Sequence, residues 1–106
     1  MKGKSKTEVA LYRKLTELIR KCGQVKIAPA RTRVGFQKRI IFAAINGLSK
    51  DRLRGHIVLS RKIESKRFKR IETIPPKYYV HHFTISSEKE LDEEFLEFLR
   101  KGYKAG

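Results

Sequence analysis

The sequence has one cysteine, one methionine, three prolines and no tryptophan, and only 11 acidic residues stand against 26 lysines and arginines. The single Cys22 excludes an internal disulfide and a thiolate zinc cluster, and it points to a reduced, cytoplasmic setting. No apolar run approaches the roughly 18 to 20 residues that cross a bilayer, so no membrane span is expected. The first six residues, Met1-Lys2-Gly3-Lys4-Ser5-Lys6, lack the apolar stretch of a secretory signal and read as a disordered basic tail. Gly35, Gly47 and Gly55 stand alone, so there is no phosphate-cradling glycine loop. With 40% hydrophobic residues in 106, the chain can build one small core and reads as a single domain, 1–106.

What the sequence does have is positive charge, a formal net of +15 with pI near 10.3. It is unevenly placed: Met1 to Ser87 sums to +17 and Glu88 to Gly106 to −2. Self-repulsion of that size costs stability, so the pattern points to a polyanionic partner, with an acidic protein and plain solvation as the other readings. The acidic C-terminal end is expected to face away from that partner.

Leu11, Leu15, Leu18, Ile19 and Cys22 recur at three- and four-residue spacing and predict an amphipathic helix over 7–22, with Thr7 as N-cap and Gly23 closing it. Residues 25–85 read as an antiparallel sheet. Val25 to Ala28 and Thr32 to Gln37 give two short strands, and the apolar run Ile40 to Ile45 gives a central one that stops at a turn signalled by Asn46-Gly47. After a hairpin loop of several residues, Leu53 to Ser60 is the next strand, with Ile57 and Leu59 on one face and His56 and Val58 on the other. Arg61 to Lys77 shows little periodicity and reads as a basic loop plus a short strand near Phe68 to Glu72. Tyr78 to Ile85 alternates cleanly, with His81 on the side of Phe83 and His82 opposite. Ser87 and Glu90 form a capping box before a helix over 88–103. The fold class is therefore α+β: an antiparallel meander sheet of five or six strands with N- and C-terminal helices packed on one face.

Phe42-Ala43-Ala44-Ile45, the later Arg67-Phe68, His82-Phe83-Thr84-Ile85-Ser86, Glu90-Leu91-Asp92-Glu93-Glu94 and Lys101-Gly102-Tyr103 together resemble a prokaryotic domain-of-unknown-function family. The resemblance covers roughly Gln24 to Ala105. It implies a short α+β domain in a prokaryotic cytoplasm, and it supplies no catalytic residue and no cofactor.

Catalysis is not expected. The sequence acids outside the last helix, Glu8, Glu17, Asp51, Glu64 and Glu72, fall in different elements. His56 and His82 meet only if their strands pair, and neither has an evident third ligand, so no metal or cofactor is expected. His81 reads as a polar residue tucked against the helices and Phe42 as core. Binding is better supplied. Arg31, Arg33, Lys38 and Arg39 flank the second strand, Lys50, Arg52 and Arg54 flank the fourth, and Arg61, Lys62, Lys66, Arg67, Lys69 and Arg70 crowd one segment. With His82 or His56, or Phe42 if it is not core, as a stacking group on the uncovered sheet face, these residues predict nucleic-acid binding, RNA or DNA, with little sequence specificity. The alternative is a protein-interaction module, or a homodimer, that uses the uncovered face or an edge strand.

Overall fold

Ser5, not Thr7, starts the first helix. In the computed structural model, which describes residues 3–29, 34–37, 41–75 and 78–105, helix α1 spans Lys6–Lys21 and is closed at its N-terminus by a full capping box. The Ser5 hydroxyl accepts from the Glu8 N–H and the Glu8 carboxylate accepts from the Ser5 N–H, both at 3.1 Å. The box prevails over Thr7 because it satisfies two orphan donors at once. It also ties the start of the chain down. The second Glu8 oxygen accepts from the Asp51 N–H at 2.9 Å, and Lys4 Nζ donates to the Leu48 carbonyl at 2.6 Å. Residues 4–6, expected as part of a loose tail, are thus docked on the sheet.

Six strands follow: β1 (Lys26–Pro29), β2 (Val34–Gln37), β3 (Ile41–Ser49), β4 (Arg52–Leu59), β5 (Phe68–Ile74) and β6 (Tyr78–Ile85). They form one open antiparallel sheet in the order β1-β2-β3-β4-β6-β5. The meander thus runs through β4, after which β6 inserts beside β4 and β5 becomes the edge.

Asn46-Gly47 does not turn the chain. β3 continues through it to Ser49, with the ladder slipping by one residue between Ile45 and Gly47. Gly47 is used for close approach, since a Cβ there would come within 2.4 Å of an Arg54 guanidinium nitrogen lying across it. The hairpin is instead closed by Lys50 and Asp51 alone, at φ 53° and 59°. That is the doubly left-handed pair of a two-residue turn whose twist suits antiparallel strands. Two cross-chain hydrogen bonds hold Asp51 in this conformation, its N–H to Glu8 and its carboxylate from the Ser5 hydroxyl.

The C-terminal helix also differs from the expected continuous span. Ser87 does cap a turn with Glu90, but this is a short 3-10 turn, Glu88–Glu90. Leu91 then leaves helical geometry to bury its side chain, and Asp92 accepts from the Phe95 N–H at 3.1 Å to start α2, Glu93–Ala105.

Both helices pack on β4 and on each other, and so cover the same face of the sheet. Leu11, Leu15 and Ile19 from α1 and Phe95 and Leu99 from α2 meet Phe36, Leu53, Ile57, Leu59 and Ile85, all essentially sealed from solvent. Phe42 joins this core and stacks edge-on with Tyr103 at 5.6 Å, so it offers no ring to the other face. His81 is fully buried on the same side. Its Nε2 accepts from the Ile63 N–H and its Nδ1 donates to the Tyr79 carbonyl, both at 3.0 Å, so the ring is neutral and pins the loop after β4 to the sheet. Burial pushes its pKa down, against the opposing pull of the Tyr79 and Ile57 backbone.

Candidate functional site

Among the described residues, no helix lies on the other face of the sheet. Strand alternation places Arg52, Arg54, His56 and Val58 of β4 on it, beside Val80, His82 and Thr84 of β6. Cross-strand pairing puts Arg54 opposite Thr84 and His56 opposite His82, while on the far side of β6 Arg70 faces His82.

The centre of this face is a polar row across four strands. Asn46 Nδ2 donates to His56 Nδ1 at 3.1 Å, which leaves the His56 proton on Nε2. The His56 and His82 rings lie 5.6 Å apart, and His82 Nε2 donates to the Glu72 carboxylate at 2.5 Å. Arg70 completes the row with a 3.2 Å contact to the same Glu72 oxygen. The His82 hydrogen bond, followed by the Arg70 charge, holds the Glu72 carboxyl below its usual value. Among the described residues, no group of three or more His, Cys, Asp or Glu side chains is arranged to hold a metal ion.

At one end of the row the face turns cationic. Arg52, Lys66, Arg67, Lys69, Thr84, Ser86 and Glu90 border a cleft of about 320 Å³, with Arg54 and Arg70 on the adjoining strand positions. Among the described residues, Arg52, Arg54, Lys66 and Lys69 take part in no ion pair. At the other end the face is apolar, with Val58 and Val80 as floor and Ile41 and Ile74 at the sides.

The structure thus brings together Arg52, Arg54, Lys66, Lys69, Arg70 and His82 of the residues singled out from the sequence, with Arg67 on the border of the same cleft, while Arg61 and Lys62 lie elsewhere. Arg67 is a correction to the reading of that segment as uniformly free charge. Its guanidinium donates to Glu94 and to the Glu90 carbonyl at 2.6 Å and to Asp92 at 2.7 Å, clamping the segment to the start of α2. The acidic helix therefore does not simply face away from the basic segment, because two of its acids bind it. Burial alone would lower the Arg67 pKa, but the two carboxylates raise it. Arg61 sits on the helix side of the sheet, lining a cavity of about 320 Å³ with Leu59, Ile63, Lys101 and Lys104. Lys62 lies along the β5 edge near Lys69 and Arg70, 3.9 Å from Glu64. Arg31, Arg33, Lys38 and Arg39 lie outside the described residues.

Sequence reasoning named Arg52 among the charges flanking the fourth strand and passed over Asn46 and Glu72. Asn46 was hidden by its reading as a turn, and Glu72 by a register visible only in three dimensions, since it sits opposite Val80 and reaches His82 diagonally.

The family model described as Domain of unknown function (DUF5655) matches residues 1–106 of the chain. Comparisons with curated proteins and with solved structures give no match. No helix among the described residues is long and apolar enough to cross a membrane.

Proposed function

The chain belongs to the DUF5655 family, and for it we propose non-catalytic binding of nucleic acid through the helix-free face of the sheet. The observation that carries this reading is the collection of Arg52, Arg54, Lys66 and Lys69 at one end of that face, none of them in an ion pair among the described residues, although Glu90, which accepts from the Ser86 and Ser87 N–H groups, borders the same cleft. Cations spread for solubility alone are expected to be scattered and partly paired, as Arg100 is with Glu97 at 2.6 Å on the outside of α2. Grouped and unpaired, they repel one another until phosphates neutralise them, and that neutralisation releases counterions. The exposed rims of the histidine pair supply flat surface beside the charges.

The test is fluorescence anisotropy of the nuclease-treated protein with labelled single-stranded RNA, single-stranded DNA and duplex DNA across a salt series, with heparin as competitor. Binding that persists near physiological salt supports the reading. Arg54→Ala and Lys69→Ala are each expected to reduce the slope of log affinity against log salt by about 0.7 to 0.9 for every phosphate contact removed. Equal, weak binding to every polyanion that vanishes with salt refutes it and turns attention to a protein partner at the edge strands β1 and β5.

A further inference from the structure

The geometry points to a subsite for one unpaired nucleobase in the groove at the apolar end of the open face, with the adjoining phosphate held by Arg54 and Arg70. This deepens the nucleic-acid reading and rests on it.

The groove has a volume of about 520 Å³, within the range of pockets that enclose small ligands. Its floor is shut off from solvent although no helix covers it: Val58 and Val80 are 8% and 7% exposed. Ile74 stands at the rim, 48% exposed, an uncovered large apolar side chain next to a dry floor. Such a surface favours a flat apolar guest. The groove is not apolar throughout, however. Asn46, His56, His82 and Glu72 line it too, and together they offer both donors and acceptors at its charged end. An apolar plate with a hydrogen-bonding edge is the chemistry of a nucleobase.

The position of the cations selects a nucleotide over an uncharged ring compound. Arg54 lies one same-face step along β4 from His56, about 7 Å by strand geometry, and Arg70 is the cross-strand partner of His82. Apolar floor, polar row and cationic end therefore follow one another along the strands in the order base face, base edge, phosphate. A base held in a duplex has its edge paired and its faces stacked, so it can give neither to this groove. The subsite therefore takes single strands, RNA or DNA, over duplex.

The test uses anisotropy with equal-length labelled strands of four kinds: single-stranded RNA, single-stranded DNA, an abasic deoxyribose-phosphate strand, and blunt duplex DNA. Base stacking predicts that strands with bases bind at least about tenfold more tightly than the abasic strand. The double variant His56→Ala, His82→Ala is expected to fall to the abasic level while its binding of the abasic strand is unchanged. Ile74→Ser, at an exposed position where little packing is lost, is expected to move affinity the same way by a smaller factor, and it answers the case in which the double variant fails to fold. Equal binding of abasic and base-bearing strands, or preference for duplex, overturns the subsite and leaves the nucleic-acid reading standing. Failure of every strand to bind overturns both.

Discussion

Replacing Arg67 with methionine separates structural charge from binding charge. The substitution keeps most of the aliphatic stem and removes three hydrogen bonds, to the Asp92 and Glu94 carboxylates and the Glu90 carbonyl. The Glu94 side chain is 61% exposed and its contribution is screened, worth about 0.5 kcal/mol, as for other exposed pairs. Asp92 and the Glu90 carbonyl are better shielded by the arginine, itself 26% exposed, and charge-assisted bonds of that kind contribute about 0.5 to 1 kcal/mol each after the same discount. The sum is about 2 kcal/mol, which for a domain of this size lowers Tm by roughly 8 °C or more. Urea denaturation and thermal melts measure it, and the difference from the parent should shrink at about 1 M salt, where screening is nearly complete. Affinity for single-stranded nucleic acid and its salt slope should stay at the parent values, because the guanidinium is already occupied. The reasoning fails if R67M melts with the parent, or if it loses as much affinity as R54A. It follows that neutralising Lys66, Arg67, Lys69 and Arg70 together confounds binding with folding, whereas Lys66, Lys69 and Arg70 alone do not.

Glu72→Gln removes the one carboxylate that faces the histidine pair and should raise affinity for single strands severalfold at low salt, read by anisotropy. His81 makes stability depend on pH. Its native pKa lies below the unfolded value of about 6.5, so its contribution is complete above pH 6.5 and declines as pH falls toward the native value. Urea midpoints taken from pH 8 down to pH 5 should show this decline, and His81→Gln should flatten it. Lys50→Gly relieves a left-handed lysine at φ 53° and should stabilise the fold by about 0.5 to 1 kcal/mol in the same denaturation assay. Gly102→Val drives a branched side chain into a site where even a Cβ lies 2.9 Å from Ile57 Cγ2, and should cost about 1 to 3 kcal/mol.

Periodicity carried most of the fold. The α1 stripe, the alternation of β6 and the Ser87 capping box all appear in the structure, because each rests on neighbours within about four residues. The misreadings occur where distant partners decide. Asn46-Gly47 has strong local turn chemistry, yet it is a bulge, while Glu8 and Ser5 hold the real turn at Asp51. The placement of β6 between β4 and β5 is likewise invisible in either strand alone. For the candidate site, the meeting of His56 and His82 was legible as a conditional statement about pairing. Glu72 and Arg67 were not, since their partners lie 10 and 25 residues away in the chain.

The acids of the two faces of the sheet have different partners. On the helix side and its rim several acids are matched within the chain: Asp92 and Glu94 with Arg67, Glu97 with Arg100, and Glu8 with backbone donors. Burial alone would push the Asp92 carboxyl up, but the Phe95 N–H and Arg67 together hold it below its usual value, so it stays ionised there. On the open face Glu72 is the one acid in the row, and it is shared between Arg70 and His82. The acids are thus used where they stabilise the junction of α2 with β5, while among the described residues unpaired cations remain both on the helices, as at Arg13, Arg20 and Lys101, and on the open face, where Arg52, Arg54, Lys66 and Lys69 are grouped. It is that grouping, rather than the lack of partners, on which the proposed binding of a polyanion rests.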